Sequence, residues 1–138
     1  MIELKGRPIV EGKVRGIALV STKPISFLGG VDPNRGVIVE REHDLIGKEI
    51  SGKILCFPHG HGSTVGSYVL YTLAKNGLSP KAIVNSKADP VVVVGAVIAG
   101  IPMVDQIQIE LIKSGDLVEV DGWSGVVRII RREEKPCI

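Results

Sequence analysis

Cysteine is nearly missing from this chain: Cys56 and Cys137 are the only two in 138 residues, and they lie far apart. A disulfide framework is therefore not expected, nor a thiolate cluster, which needs about three or four Cys ligands. Aromatic residues make up 4% of the chain, which leaves few of the stacking platforms that single-stranded nucleic acids use. Charge of one sign is missing as well. Lys and Arg number 17 against 15 Asp and Glu, a net +2, and the basic residues are scattered apart from Arg128, Arg131 and Arg132. Nucleic acid is not an expected partner. No basic-then-apolar leader opens the chain, and no apolar run approaches the roughly 20 residues of a membrane span. The expectation is a cytoplasmic protein with no membrane partner.

Valine, isoleucine and glycine carry the chain instead. Hydrophobic residues make up 44% and the mean hydropathy is +0.27, enough for one domain over residues 1–138 to bury a real core, with one apolar face left for a partner. From Met1 to Ser21, short β-type runs punctuated by Gly6, Gly12 and Gly16 predict two or three strands turning on those glycines. Ser26 to Gly36 has turn chemistry and little periodicity, so a loop is expected, with Asp32 and Arg35 as candidate binding groups or an ordinary Asx-Pro turn. Val37 to Val39 reads as a short strand and Glu42 to Gly47 as a turn, with His43 structural. Ala82 to Asn85 is a further strand. Val91 to Ala99 holds four consecutive valines, yet Asp89 as N-cap, Pro90 at the first position and Gly100 and Pro102 beyond the end punctuate a helix. Ile101 to Val104 follows as a strand. Gly115 to Ile130 reads as a hairpin whose strands pair with the opening ones. Arg131 to Ile138 is expected to fray.

The stretch from Ile54 to Leu73 dominates the rest. Ile54 to Phe57 is a short apolar run, and Val65, Val69 and Leu73, with Tyr68, recur at helical spacing. Strand, glycine-rich turn and helix are predicted in that order. Gly60 and Gly62 let the backbone approach a bound group, and Ser63 and Thr64 fall where an N-cap and unpaired N–H groups belong. Such a helix start favours anions. Three chemistries compete at this turn. Ser63 could act as nucleophile or base, helped by the helix N-terminus and a cation. Gly60, Gly62, Ser63 and Thr64 could bind phosphate, although no Gly-Lys-Ser follows. His59 and His61 could bind a transition metal, but they lack a recognisable third ligand. The plainest reading is that Ser63 only caps its helix.

Four separated stretches carry a further signal: Phe27 to Pro33, Gly62 to Leu70, Ala88 to Val91 with Gly100-Ile101-Pro102, and Gly115 to Val118. Together, over about Gly6 to Ile130, the chain resembles the small subunit of the aconitase X family. The nearest likeness is to the archaeal branch that dehydrates 5-phosphomevalonate to trans-anhydromevalonate 5-phosphate in a modified mevalonate pathway to isoprenoids. The resemblance implies an α/β fold: a swivelling β/β/α domain whose central parallel βαβαβ unit packs with a β-rich layer drawn from both chain ends. It also implies a partner large subunit holding an iron–sulfur (4Fe–4S) cluster, no cofactor or metal on this chain, and a small phosphorylated hydroxy acid as substrate. The family's catalytic serine falls on Ser63, with Gly62, Thr64, Gly60, His61 and Asp32 as candidate substrate-binding residues. Relatives often carry Arg ahead of that serine where this chain has His59 and His61. A sister branch acts on hydroxyproline. The closing Gly115 to Val126 is also similar to the end of phosphohistidine carrier domains, in which His61 would carry the phosphoryl group, but their glycine-glycine, serine-histidine signature is not present.

Overall fold

The computed structural model of the chain describes residues 1–132. Within them the order is β1 (Ile2–Lys5), β2 (Arg7–Val10), β3 (Lys13–Val20), α1 (Phe27–Gly30), β4 (Val31–Asp32), β5 (Val37–Ile38), β6 (Ile54–Phe57), α2 (Gly66–Lys75), β7 (Ala82–Asn85), α3 (Pro90–Ala99), β8 (Met103–Asp105), β9 (Leu117–Asp121) and β10 (Val126–Arg131). Eight strands join in the order β1-β10-β9-β3-β6-β7-β8-β2, and β4 pairs with β5 apart from them. The pairs β3/β6, β6/β7 and β7/β8 are parallel. The flanking pairs, among them β1/β10, β10/β9 and β9/β3, are antiparallel. The central βαβαβ unit and the pairing of the two chain ends are as expected.

Alternation along the parallel strands builds two cores. Side chains on a strand point to opposite faces in turn. Leu19, Leu55, Ile83 and Met103 align in register toward one face, where they meet Leu70 and Leu73 of α2 and Val92 and Ala96 of α3. Ala18, Ile54, Cys56, Ala82, Val84 and Val104 point the other way and meet Val118, Val120, Val127 and Ile129 of the antiparallel strands. The parallel unit is thus covered by helices on one side and by β9 and β10 on the other, the expected β/β/α arrangement. The two β layers are one continuous hydrogen-bonded sheet, because β3 belongs to both. On the outer side of the β layer, buried Glu119 is held by Arg15 at 2.7 Å and Arg128 at 3.1 Å, and Arg15's hydrogen bond is the main reason its carboxyl titrates below the usual range.

Four expectations are corrected. Gly16 makes no turn but lies inside β3, next to the point where that strand exchanges β9 for β6 as its partner. The stretch from Ser26 to Gly36 is not wholly loop, since it holds the kinked turn α1 and the first strand of the β4/β5 pair. The buried face of α2 is Gly66, Ser67, Leu70 and Leu73, whereas Val65 and Tyr68 are exposed. Small residues face inward because α2 and α3 pack closely: a Cβ on Gly95 of α3 would sit 2.5 Å from Leu70 Cδ1 and 3.2 Å from Ser67 Cα. Finally, Arg131 ends β10, and Arg132 donates to Asp116 at 3.1 Å, so fraying does not begin at Arg131; residues 133–138 lie outside the described residues.

Gly95→Val should therefore overpack the helix pair and cost about 1–3 kcal/mol. Thermal unfolding should fall by several degrees, whereas exposed Val94→Ala should shift it little. An unchanged melting temperature for Gly95→Val would show that the helices separate freely.

Candidate active site

The carboxyl ends of β3, β6, β7 and β8 point to one edge, where open parallel sheets present ligands. The loop after β6, residues 58–65, runs along that edge and is tied on both sides. Toward the β3 side, Ile25 N–H donates to His59 O (3.2 Å) and His61 N–H to Ile25 O (3.1 Å). Toward the β7 side, Ser86 and Lys87 N–H donate to Pro58 O, at 3.0 and 3.1 Å. Gly60 N–H donates to Asp89 Oδ1 at 2.9 Å, while Asp89 Oδ2 accepts Val91 N–H at 3.2 Å and so caps α3. Gly60 must be glycine here, because a Cβ would collide with Val92 Cγ2 and stand 2.6 Å from Asp89 Oδ1.

Ser63 lies at the exposed crest of this loop. Its Oγ accepts Val65 N–H at 3.1 Å. It is not the N-cap of α2, a position taken by Val65 with no side-chain cap. The first turn of α2 closes on its own carbonyls: Gly66, Ser67 and Tyr68 N–H donate to the carbonyls of Ser63, Thr64 and Val65 at 2.9, 3.2 and 3.0 Å. The free donors lie one step earlier. Among the described residues, the N–H groups of Gly62, Ser63 and Thr64 meet no acceptor, and Gly62 takes φ +96° to turn the chain there.

The other sequence candidates divide. His61 lines a pocket of about 240 Å³ with Lys23, Pro24, Glu40, Arg41, Glu42 and His43. Lys23 is steadied there by donating its Nζ–H to Glu42 O at 2.6 Å. The segment after β3 is pinned by Asp44, which accepts Ser21 Oγ–H at 2.6 Å and Thr22 N–H at 2.9 Å. Burial would raise the Asp44 carboxyl, but those hydrogen bonds outweigh it and hold the group below the usual range. Thr64 lies at the end of an apolar groove of about 450 Å³ between α2 and α3, lined by Val65, Tyr68, Val91, Val94 and Ile98. Asp32 is not brought to the loop. Its carboxylate accepts Asn34 N–H in an Asx turn, and the next residue, Pro33, receives Asn76 at the far end of α2. A ten-residue helix separates them, about 15 Å. His43 is buried, with its ring nitrogens on Pro24 O and Leu45 N, as a structural histidine should be.

Among the described residues, no group of three or more His, Cys, Asp or Glu could hold a metal ion, and neither His59 nor His61 is joined by further ligands. Cys56 is fully buried, and burial first, then the charge of Asp116, pushes its thiol far above its ordinary value.

Sequence reasoning missed Lys23 and Arg41 as cations near the loop, and it took Asp89 for a cap alone. No spacing rule could reveal either, since each depends on contacts between segments far apart in the chain. A further support also escaped it. Asp105 is buried at the end of β8, accepts Arg7 Nε–H and Nη2–H at 2.9 and 2.8 Å, and accepts Ala88 N–H at 2.9 Å, so it fixes the residue before Asp89. Burial would raise the Asp105 carboxyl; the Arg7 hydrogen bonds, the Ala88 N–H and the Arg7 charge outweigh it and lower it. A lowered carboxyl stabilises the fold at pH above its unfolded-state value and loses that contribution as pH falls through its folded value. Arg7→Met should thus move acid unfolding, followed by circular dichroism, to higher pH. Coincident acid transitions would show that this pair does not hold the edge.

Comparison with known proteins agrees with this architecture. The family model described as aconitase X swivel domain matches residues 3–129. A protein named phosphomevalonate dehydratase small subunit from Thermococcus sibiricus is 58% identical over 93% of this chain and 98% of its own length. One of the same name from Methanocaldococcus jannaschii is 55% identical over 95% of this chain and 100% of its own. Among solved structures, the crystal structure of Thermococcus kodakaraensis aconitase X in its holo-form superposes with a TM-score of 0.94 at 52% identity, covering 95% of this chain and 100% of that one. With the parallel unit, the crossed β layer and the loop all in the expected order, the chain belongs to the aconitase X swivel-domain family.

Proposed function

We propose that this chain is the small subunit of a two-subunit hydro-lyase that dehydrates (R)-5-phosphomevalonate to trans-anhydromevalonate 5-phosphate, with Ser63 as the proton acceptor. The observation that carries the reading is Ser63 at the crest of a braced loop, beside three free N–H groups, in a chain similar over nearly its whole length to proteins named for that reaction. The iron–sulfur cluster is assigned to the large subunit, since this chain's described residues offer no ligand set for one.

In this chemistry Ser63 Oγ, deprotonated to the alkoxide, takes the proton from the carbon beside the substrate carboxylate and is left as the hydroxyl, while the C–H electron pair forms the new C=C bond and the substrate hydroxyl leaves with its C–O pair. The hydrogen bond from Val65 N–H is made to that oxygen and stabilises the alkoxide before the transfer. The N–H groups of Gly62, Ser63 and Thr64 are available to a substrate carboxylate or phosphate, and Lys23 and Arg41 bring positive charge to the adjoining pocket. An exposed serine in water is a poor base, so the loop must be covered and dried during turnover. Leu28, Val65, Tyr68, Val94 and Ile98 are exposed around it, an apolar rim suited to a large-subunit contact. The phosphohistidine reading finds no favouring observation, for His61 precedes α2 by a full turn of loop and its own N–H is spent on Ile25 O.

The single chain should be inactive until mixed with a cluster-bearing partner. In the reconstituted pair, Ser63→Ala should fold normally, bind its partner and lower kcat by roughly a hundredfold or more. Ser67→Ala loses a buried hydrogen bond to Val91 O, so it should cost stability of about 1 kcal/mol and much less turnover. Equal, mild rate losses from both substitutions would move the base elsewhere.

A further inference from the structure

We propose that Asp89 is a positioning residue for Ser63, a role that rests on the reading of Ser63 as the base but adds a second task to the helix cap. Both oxygens of its carboxylate are used: Oδ1 takes the N–H of Gly60, 29 residues away in the chain, and Oδ2 takes Val91 N–H. A cap needs only one of these. The other bond reaches across to the loop three residues before Ser63, where Gly60 is pressed against Asp89 and Val92 with no room for a side chain.

Asp89 is itself held from behind. Ala88 N–H donates to Asp105, and Asp105 is clamped by both donors of Arg7 on edge strand β2. The preceding Ser86 and Lys87 N–H groups grip Pro58 O, two residues before Gly60. Loop 58–65 is therefore joined to the 86–89 segment at Pro58 and Gly60, while among the described residues the hydrogen bonds that hold Ser63 itself come from the start of α2, Val65 N–H to its Oγ and Gly66 N–H to its carbonyl. The position of Ser63 Oγ depends on where Gly60 is pinned. Displacing a reacting group by about 1 Å can cost on the order of a hundredfold in rate.

The cap and the clamp can be separated. Serine caps helices as well as aspartate does, but it has one short acceptor oxygen, so Asp89→Ser keeps the bond to Val91 N–H and releases Gly60. Asp89→Asn likewise offers one carbonyl oxygen where two acceptors are needed. Gly100→Ala weakens the same helix at its other end, where Gly100 takes φ 69° with open space around it, and leaves the loop alone.

With the reconstituted two-subunit enzyme, Asp89→Ser should lower kcat about tenfold to a hundredfold while KM, subunit affinity and melting temperature stay near wild type. Gly100→Ala should lower the melting temperature and leave kcat unchanged. Amide exchange at Gly60 in the small subunit should quicken in Asp89→Ser and not in Gly100→Ala, a readout that needs no turnover. Wild-type kcat in Asp89→Ser, slow Gly60 exchange in that variant, or a kcat loss in Gly100→Ala matching its loss of stability would each overturn the proposal. If the wild-type pair does not dehydrate the phosphorylated acid, the functional reading fails by itself, and Gly60 exchange still decides whether Asp89 pins the loop.

Discussion

Strand β3 serves two sheets in eight residues. Lys13 to Ile17 pair antiparallel with β9, and Ala18 to Val20 pair parallel with β6, so the antiparallel layer and the parallel unit hang from one strand. Once β3 is fixed, Ala18 and Leu19 point to opposite cores, and the register carries that choice across to β6, β7 and β8. A slip of one residue would turn every one of these side chains to the wrong face. The carboxyl edge that presents Ser63 is the end of this ladder.

Where the sequence was legible, local chemistry and global packing agreed. Asp89, Pro90 and Gly100 delimit α3 in spite of its valines, because caps act through backbone groups that tertiary contacts do not override. The closing hairpin was legible as two β-rich runs about a Gly-containing turn, and its strands pair with the opening ones as expected. The buried face of α2 was not. Val65 and Tyr68 are the most apolar signals near its start, yet they are exposed, while Gly66 and Ser67 face α3 because the helices need small residues to approach. Hydropathy cannot tell an apolar side chain that faces a core from one left exposed. Asp32 misled for a different reason: an Asx turn and a ligand site use the same residue, and only its distance from the loop separates them.

The candidate site shows the same division. Ser63 and its glycines are legible because a Gly-rich turn between strand and helix is a short-range pattern. What holds that turn is long-range: Ile25 grips it from one side, and Ser86, Lys87 and Asp89 grip it from the other. The sequence pointed to donors at Ser63 and Thr64, and the structure adds Gly62. The first turn of α2 closes on its own carbonyls, so the free N–H groups are those of Gly62, Ser63 and Thr64, ahead of the helix dipole and not at its tip. An anion there is met by aimed hydrogen bonds more than by the helix field, which fades within a turn.

The continuity of the sheet through β3 bears on how such a subunit can move. Two sheets that merely stack can slide on each other, but strands joined by one ladder cannot part without breaking backbone hydrogen bonds in the interior. Any swivel must then move this body as a whole, with Ser63 a point on a rigid lever. On the proposed reading, closing the site would be a matter of docking angle, and a small error in that angle at a distant contact would be magnified into a displacement of the serine.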